Sequence, residues 1–146
     1  CRPAAWQMRP ASALIAALNA DDETPGDVPY TSIFSNTDTT SVPPTSTLVG
    51  ATNIAVQDAC PGREVGHAQF TSDAAVFELV RFALETEGPI EPTWVHPEVC
   101  ALDRFAPITT SEAEDKDSDG TGFFLSSYLD GSSPGSEPAL PAYAAP

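Results

Sequence analysis

Basic residues are scarce. Lys and Arg together number 6 against 21 Asp and Glu, and the formal net charge is −15. A protein that grips a phosphate backbone needs a basic footprint, and none is visible, so nucleic acid is not an expected partner. An acidic balance suits a soluble, weakly self-associating chain but does not identify a fold. Long apolar runs are missing too: none approaches the ~20 residues that span a bilayer, so no transmembrane segment is expected. Cys1 is preceded by no initiator Met, basic n-region or apolar h-region, so the chain is expected to be processed or a fragment. There are only 3 cysteines. One of them lacks an internal partner if a bridge forms, and three buried free thiols satisfy the same count. No internal repeat is present.

What remains is one domain's worth of chain, 146 residues, with 15 prolines. Proline richness with few lysines is compatible with secretion. Ala4 to Asn19 reads as a helix, with Leu14, Ile15 and Leu18 at helical spacing among alanines. Asp21 to Gly26 is an acidic loop. Val28 to Phe34 is β-branched and aromatic enough for a strand, and Ser35 to Thr40 is turn chemistry with Asp38 just beyond it. The prolines of Val42 to Ser46 require a loop. Asn53 to Asp58 reads as a second strand, with Ile54 and Val56 on one face.

Cys60, Pro61 and Gly62 then open a loop that ends in Gly66-His67. Ser72 or Asp73 caps a helix running to about Thr86, with Val76, Leu79, Val80, Ala83 and Leu84 as its apolar stripe and Gly88-Pro89 as its stop. Ile90 to Ala106 is a proline-spaced connection. Thr110 to Asp119 is an acidic, hydroxyl-rich run. Phe123 to Leu129 fits a short strand or a helical turn. Gly131 to Pro146 is a Pro/Ser/Gly/Ala tail.

An acid after one strand and a histidine after the next is how an α/β-hydrolase presents two members of a triad, in the order Ser…Asp…His. The residues around them resemble a family. Ala5-Trp6-Gln7 and a small-residue helix, then Tyr30 to Asp38 with Pro43 downstream, resemble the Candida antarctica lipase B type of serine lipase. So do Val56-Gln57-Asp58-Ala59-Cys60 leading to Val65-Gly66-His67-Ala68, and Glu137 to Ala144. The match covers Ala4 to about Cys100, is poor from Ala101 to Ser136, and recovers in the tail.

The resemblance implies an α/β-hydrolase fold, of which this chain is the C-terminal portion with an incomplete sheet. Residues 101–136 would be a divergent acidic insertion and 137–146 a Pro/Ala tail. It implies a secreted enzyme that hydrolyses neutral esters or lipids without a cofactor and touches a lipid interface transiently. Asp38 and His67 are its catalytic residues. Met8, where the family has a second glutamine, and Thr40 and Ser41, where it has apolar pocket residues, fall at the substrate pocket. Thr39 stands where an acid normally follows the aspartate, and Ser136 replaces a tail cysteine. Cys60 and Cys100 occupy family-like disulfide positions. The Gly-x-Ser-x-Gly elbow and the oxyanion-hole residues are not in these 146 residues, so the isolated chain is expected to be inactive.

The residue types fit that chemistry. A serine hydroxyl attacks only when an imidazole takes its proton, and a carboxylate fixes the imidazole tautomer. His96, between Trp94 and Pro97, is expected to have a packing or surface role. Asp38 is weighed against the ordinary fate of a turn aspartate, which bonds its own backbone.

Two other patterns compete. Gly131 to Gly135 literally matches Gly-x-Ser-x-Gly, but Ser133 would follow the histidine in the wrong order and opens a tail. Asp115 to Gly120 matches half an EF-hand loop, yet Ser126 stands where its bidentate Glu belongs, so no metal is expected. The alternatives to an enzyme are a truncated, inactive lipase homologue and an extracellular calcium-binding module.

Overall fold

The structure, a computed structural model, describes residues 6–116, 118, 122 and 135–144. It is mixed α/β, with a small parallel sheet and several helices. The chain divides into two compact units, residues 1–23 with 119–146, and residues 24–118.

In the first unit the expected helix is shorter than its alanine content suggests. Helix α1 spans Ala13–Leu18, and residues 8–11 form a turn before it. Pro10 interrupts the run and Ser12 restarts it, its hydroxyl accepting from Ile15 N–H at 3.0 Å. The Glu137 carboxylate accepts from the Ala13 and Leu14 N–H groups at 2.8 and 3.1 Å. The tail therefore satisfies donors that the first turn of any helix leaves open. Asn19 closes the helix.

The second unit is built on two parallel strands, β1 (Thr31–Phe34) and β2 (Thr52–Ala55), with Ile33 opposite Ile54. Strand β1 is shorter than the expected Val28 to Phe34. Pro29 has no N–H for a ladder, and Val28 is left exposed. Strand β2 ends early for another reason. Asp58 Oδ2 accepts from Ala55 N–H at 3.0 Å and starts helix α2, Val56–Ala59. Ile54 and Val56 are both buried, but Val56 is helical, so strand alternation is not what buries it.

Helix α3 spans Ala74–Glu85. It is capped by Asp73, whose Oδ1 accepts from Ala75 and Val76 N–H at 2.8 and 3.0 Å. Its buried face is narrower than the expected stripe: Val76 and Leu79 are buried, but Val80 and Leu84 are 40% and 82% exposed. Phe82 packs on the core in their place, edge-on to Trp94. The core gathers Ile54, Val56, Val65, Val76, Leu79, Ile90 and Val95 between the strands and α3.

The proline-spaced connection is partly ordered into a 3-10 turn, Pro92–Trp94, and helix α4, Pro97–Cys100. Within the acidic, hydroxyl-rich run, residues 110–116 are helical and, apart from Ala113, exposed. Thr109 and Glu112 form the capping box that starts them, each side chain bonding the other's backbone N–H, and Ala113 is buried. Cys60 and Cys100 form a disulfide across a separation of 40 residues. In the chain-entropy model such a loop contributes about 4 kcal/mol. Cys1 and residues 123–134 lie outside the described residues.

Beside the disulfide, Arg63 is buried against Asp73 at 2.7 Å. Its remaining donors go to the carbonyls of Cys100, Leu102 and Asp103. Truncating one member of a buried pair strands the other charge. Arg63→Ala is therefore expected to cost about 3–5 kcal/mol in urea unfolding. Arg81→Ala, at an exposed surface pair, should change little. Equal effects from the two substitutions would contradict this account.

Candidate active site

Because β1 and β2 run parallel, their C-terminal ends lie on one edge of the pair, where open α/β sheets place ligands. Both acid and base come from this edge. The chain leaves β1 through a turn in which Asp38 N–H donates to the Ser35 carbonyl at 3.2 Å. That turn buries the Asp38 side chain to 4% exposure. The chain leaves β2 through α2 and then turns at Cys60-Pro61-Gly62-Arg63. Arg63 N–H donates to the Cys60 carbonyl at 3.1 Å, and Gly62 has φ +77°. Proline second and a positive-φ glycine third are what a type II turn requires.

His67 then stands at the head of a 3-10 turn, Ala68–Thr71, which runs into α3. Its Nδ1 lies 2.9 Å from Asp38 Oδ2. A Cβ on Gly66 would meet only Gln69 Oε1, at an ordinary 3.5 Å, so no close backbone approach calls for a glycine there.

Asp38 divides its two oxygens. Oδ1 accepts from the N–H groups of Thr40 and Ser41 at 2.7 and 3.0 Å, while Oδ2 faces the imidazole. Self-bonding and histidine-orienting looked like alternatives in the sequence, and this carboxylate does both. Burial alone pushes its pKa up. The bond to His67, the two backbone donors and the imidazole's charge outweigh that and hold the carboxyl below its ordinary value.

The ring's other nitrogen, Nε2, is on the opposite side from Asp38, and His67 is half exposed. Beside it is a cavity of about 420 Å³. Ile33, Phe34 and Phe70 give this cavity apolar walls, and Ser32, Ser41 and Ser46 add hydroxyls. A larger polar cavity, about 500 Å³, lies around Cys60, Arg63 and Arg104 and contains neither Asp38 nor His67. Arg63 is engaged there in holding the fold, with four hydrogen bonds.

Of the expected pocket residues, Ser41 lines the cavity at His67. Thr40 is exposed and contributes its backbone N–H to Asp38. Met8 belongs to the other unit, where it is 67% exposed. His96 heads α4 with its side chain 75% exposed, which suits a surface role. Among the described residues no group of three or more His, Cys, Asp or Glu could hold a metal ion. Asp117, Asp119 and Ser133 lie outside the described residues. No described helix is long and apolar enough to cross a membrane.

Residues not singled out in the sequence join the two loops. Thr37 Oγ1 accepts from Val65 N–H at 2.9 Å and donates to the Val65 carbonyl at 3.2 Å. Ser35 Oγ lies 2.9 Å from Thr37 Oγ1 and accepts from Gln57 Nε2 at 3.0 Å. Gln57 Nε2 also donates to the Arg63 carbonyl at 2.7 Å, and its Oε1 accepts from Asn36 N–H at 2.9 Å. Thr37 and Val65 are 28 residues apart, so no local pattern joins them. The Asp38–Thr40 Asx turn, by contrast, has a local signature.

No protein-family model matches the chain, and no curated protein matches its sequence.

A carboxyl whose pKa is lowered by folding stabilises the fold above its ordinary value, 3.8, and that contribution is lost as pH falls through the depressed value. Asp38→Asn should therefore lessen the fall of the unfolding midpoint as pH drops below the ordinary carboxyl value of 3.8. Superimposable pH curves for the two proteins would contradict the assignment.

Proposed function

We propose that this chain carries the acid–base half of a serine hydrolase acting on neutral carboxylic esters, lipids among them. One observation carries the reading: a buried carboxylate, held by two backbone donors, faces Nδ1 of a half-exposed imidazole at 2.9 Å beside a cavity. The parallel strands that present both residues and the lipase-like sequence around them support an α/β-hydrolase framework.

In this reading the serine lies outside the 146 residues. Its hydroxyl attacks the ester carbonyl while its proton passes to His67 Nε2. The imidazolium, steadied by Asp38, then gives that proton to the departing alcohol, which leaves an acyl-enzyme. Water attacks the acyl-enzyme next, loses a proton to His67, and releases the acid as the serine regains its proton. The mixed cavity lining suits an acyl group flanked by polar contacts. The isolated chain, without serine and oxyanion donors, turns over no ester; such donors are worth about 10²–10³ each in rate. Secretion is part of the same proposal.

The test is p-nitrophenyl butyrate hydrolysis by the full gene product. His67→Ala should remove nearly all turnover. Asp38→Asn should cost on the order of 10⁴ through the wrong tautomer. His96→Ala should stay within a few-fold of wild type. Undiminished turnover in His67→Ala would end the reading.

A further inference from the structure

We propose that Thr37 is a positioning residue: its hydroxyl, bonded to both backbone groups of Val65, sets the reach between Asp38 and His67 and so holds the imidazole in its Nδ1–H tautomer. The inference deepens the acid–base reading and rests on it.

The proton order of the cluster follows from its chemistry. The Val65 carbonyl can only accept, so the single Thr37 hydroxyl proton goes there, across 3.2 Å. Thr37 Oγ1 therefore accepts both from Val65 N–H and from Ser35 Oγ–H. Ser35 Oγ in turn accepts from Gln57 Nε2 and from Thr37 N–H, at 3.0 and 3.1 Å. The side-chain hydrogens run one way, from Gln57 on α2 through Ser35 and Thr37 to the Val65 carbonyl, and the N–H groups of Thr37 and Val65 donate into the same oxygens.

One side chain thus meets Val65 as a neighbouring strand would, through both N–H and C=O. Val65 is fully buried and so is Ser35, so water does not stand in for these partners. The placement gives the cluster its leverage. Thr37 is adjacent to Asp38, and Val65 is separated from His67 only by Gly66. The gap bridged by the Asp38–His67 bond is therefore set next to it by two further bonds. Gln57 fixes the same two loops from a helix by bonding Asn36 N–H, Ser35 Oγ and the Arg63 carbonyl. His67 itself is half exposed, and beside it the Gly66 N–H donates to Gln69 Oε1 at 2.7 Å.

Thr37 is itself exposed, so its removal leaves the apolar core untouched. The test is histidine-selective ¹⁵N NMR of the full chain at neutral pH, with the two imidazoles told apart by His96→Gln. The wild type should hold His67 mainly as the Nδ1–H form. Thr37→Val keeps the shape without the hydroxyl. It should lower the ratio of Nδ1–H to Nε2–H forms roughly fivefold, the factor to which one hydrogen bond's net worth converts. Thr37→Ser should restore the ratio. Gln57→Leu, cutting the relay at its far end, should lower it in the same direction.

A wild-type ratio in Thr37→Val overturns the proposal, as does an equal fall in Thr37→Ser. If Thr37→Val does not fold, an unchanged ratio in Gln57→Leu overturns it. Tautomer shifts as expected, combined with undiminished hydrolysis by His67→Ala full gene product, would leave the tether standing and remove the catalytic reading alone.

Discussion

One buried guanidinium holds the histidine loop in place. Arg63 begins the stretch that leads to His67, and its bonds tie that stretch to two other parts of residues 24–118. Asp73, at the head of α3, takes Nε, and the carbonyls of Cys100, Leu102 and Asp103 take the terminal nitrogens. The Cys60–Cys100 disulfide closes the same region covalently. A buried ion pair is costly unless its remaining donors and acceptors are met. Here Arg63 makes three further bonds to carbonyls, and Asp73 spends its other oxygen capping α3. The loop that carries the imidazole is thus fastened at its start by Arg63 and at its end by the helix that Asp73 begins.

The acid loop is fastened differently, by a polar cluster instead of a charge pair. Asp38 has one oxygen in its own turn and one on His67, so rotation of the carboxylate would break three bonds together. Ser35, Thr37 and Gln57 then tie that turn to the histidine loop. Both fastenings act on backbone close to Asp38 and His67. Preorganisation of this kind is what acid–base chemistry needs, since a misplaced base loses the geometry that proton transfer requires.

Local chemistry made much of this legible. A cap at Ser72 or Asp73, of which Asp73 serves, and the strand ending at Phe34 followed from propensity and turn residues. Asp38 and His67 stood out because each follows a strand, and because their surroundings resemble a lipase family. Other features were local but were overridden by neighbours. Val56 reads as strand until Asp58 turns the backbone at Ala55. Val80 and Leu84 complete a stripe that the core does not reach. The Thr109–Glu112 capping box was present in the sequence behind the acidity of the residues after it. The Thr37–Val65 contact and the Arg63 clamp had no local signal, since each pairs groups that only the folded backbone brings together.

The central claim is that His67 serves a serine. The most direct measurement is a crystal structure of the full gene product after labelling with a fluorophosphonate. The account predicts a phosphonylated serine outside these 146 residues, with its Oγ about 3 Å from His67 Nε2 and Asp38 still on Nδ1. A label on Ser133, or on any serine remote from His67, would contradict it.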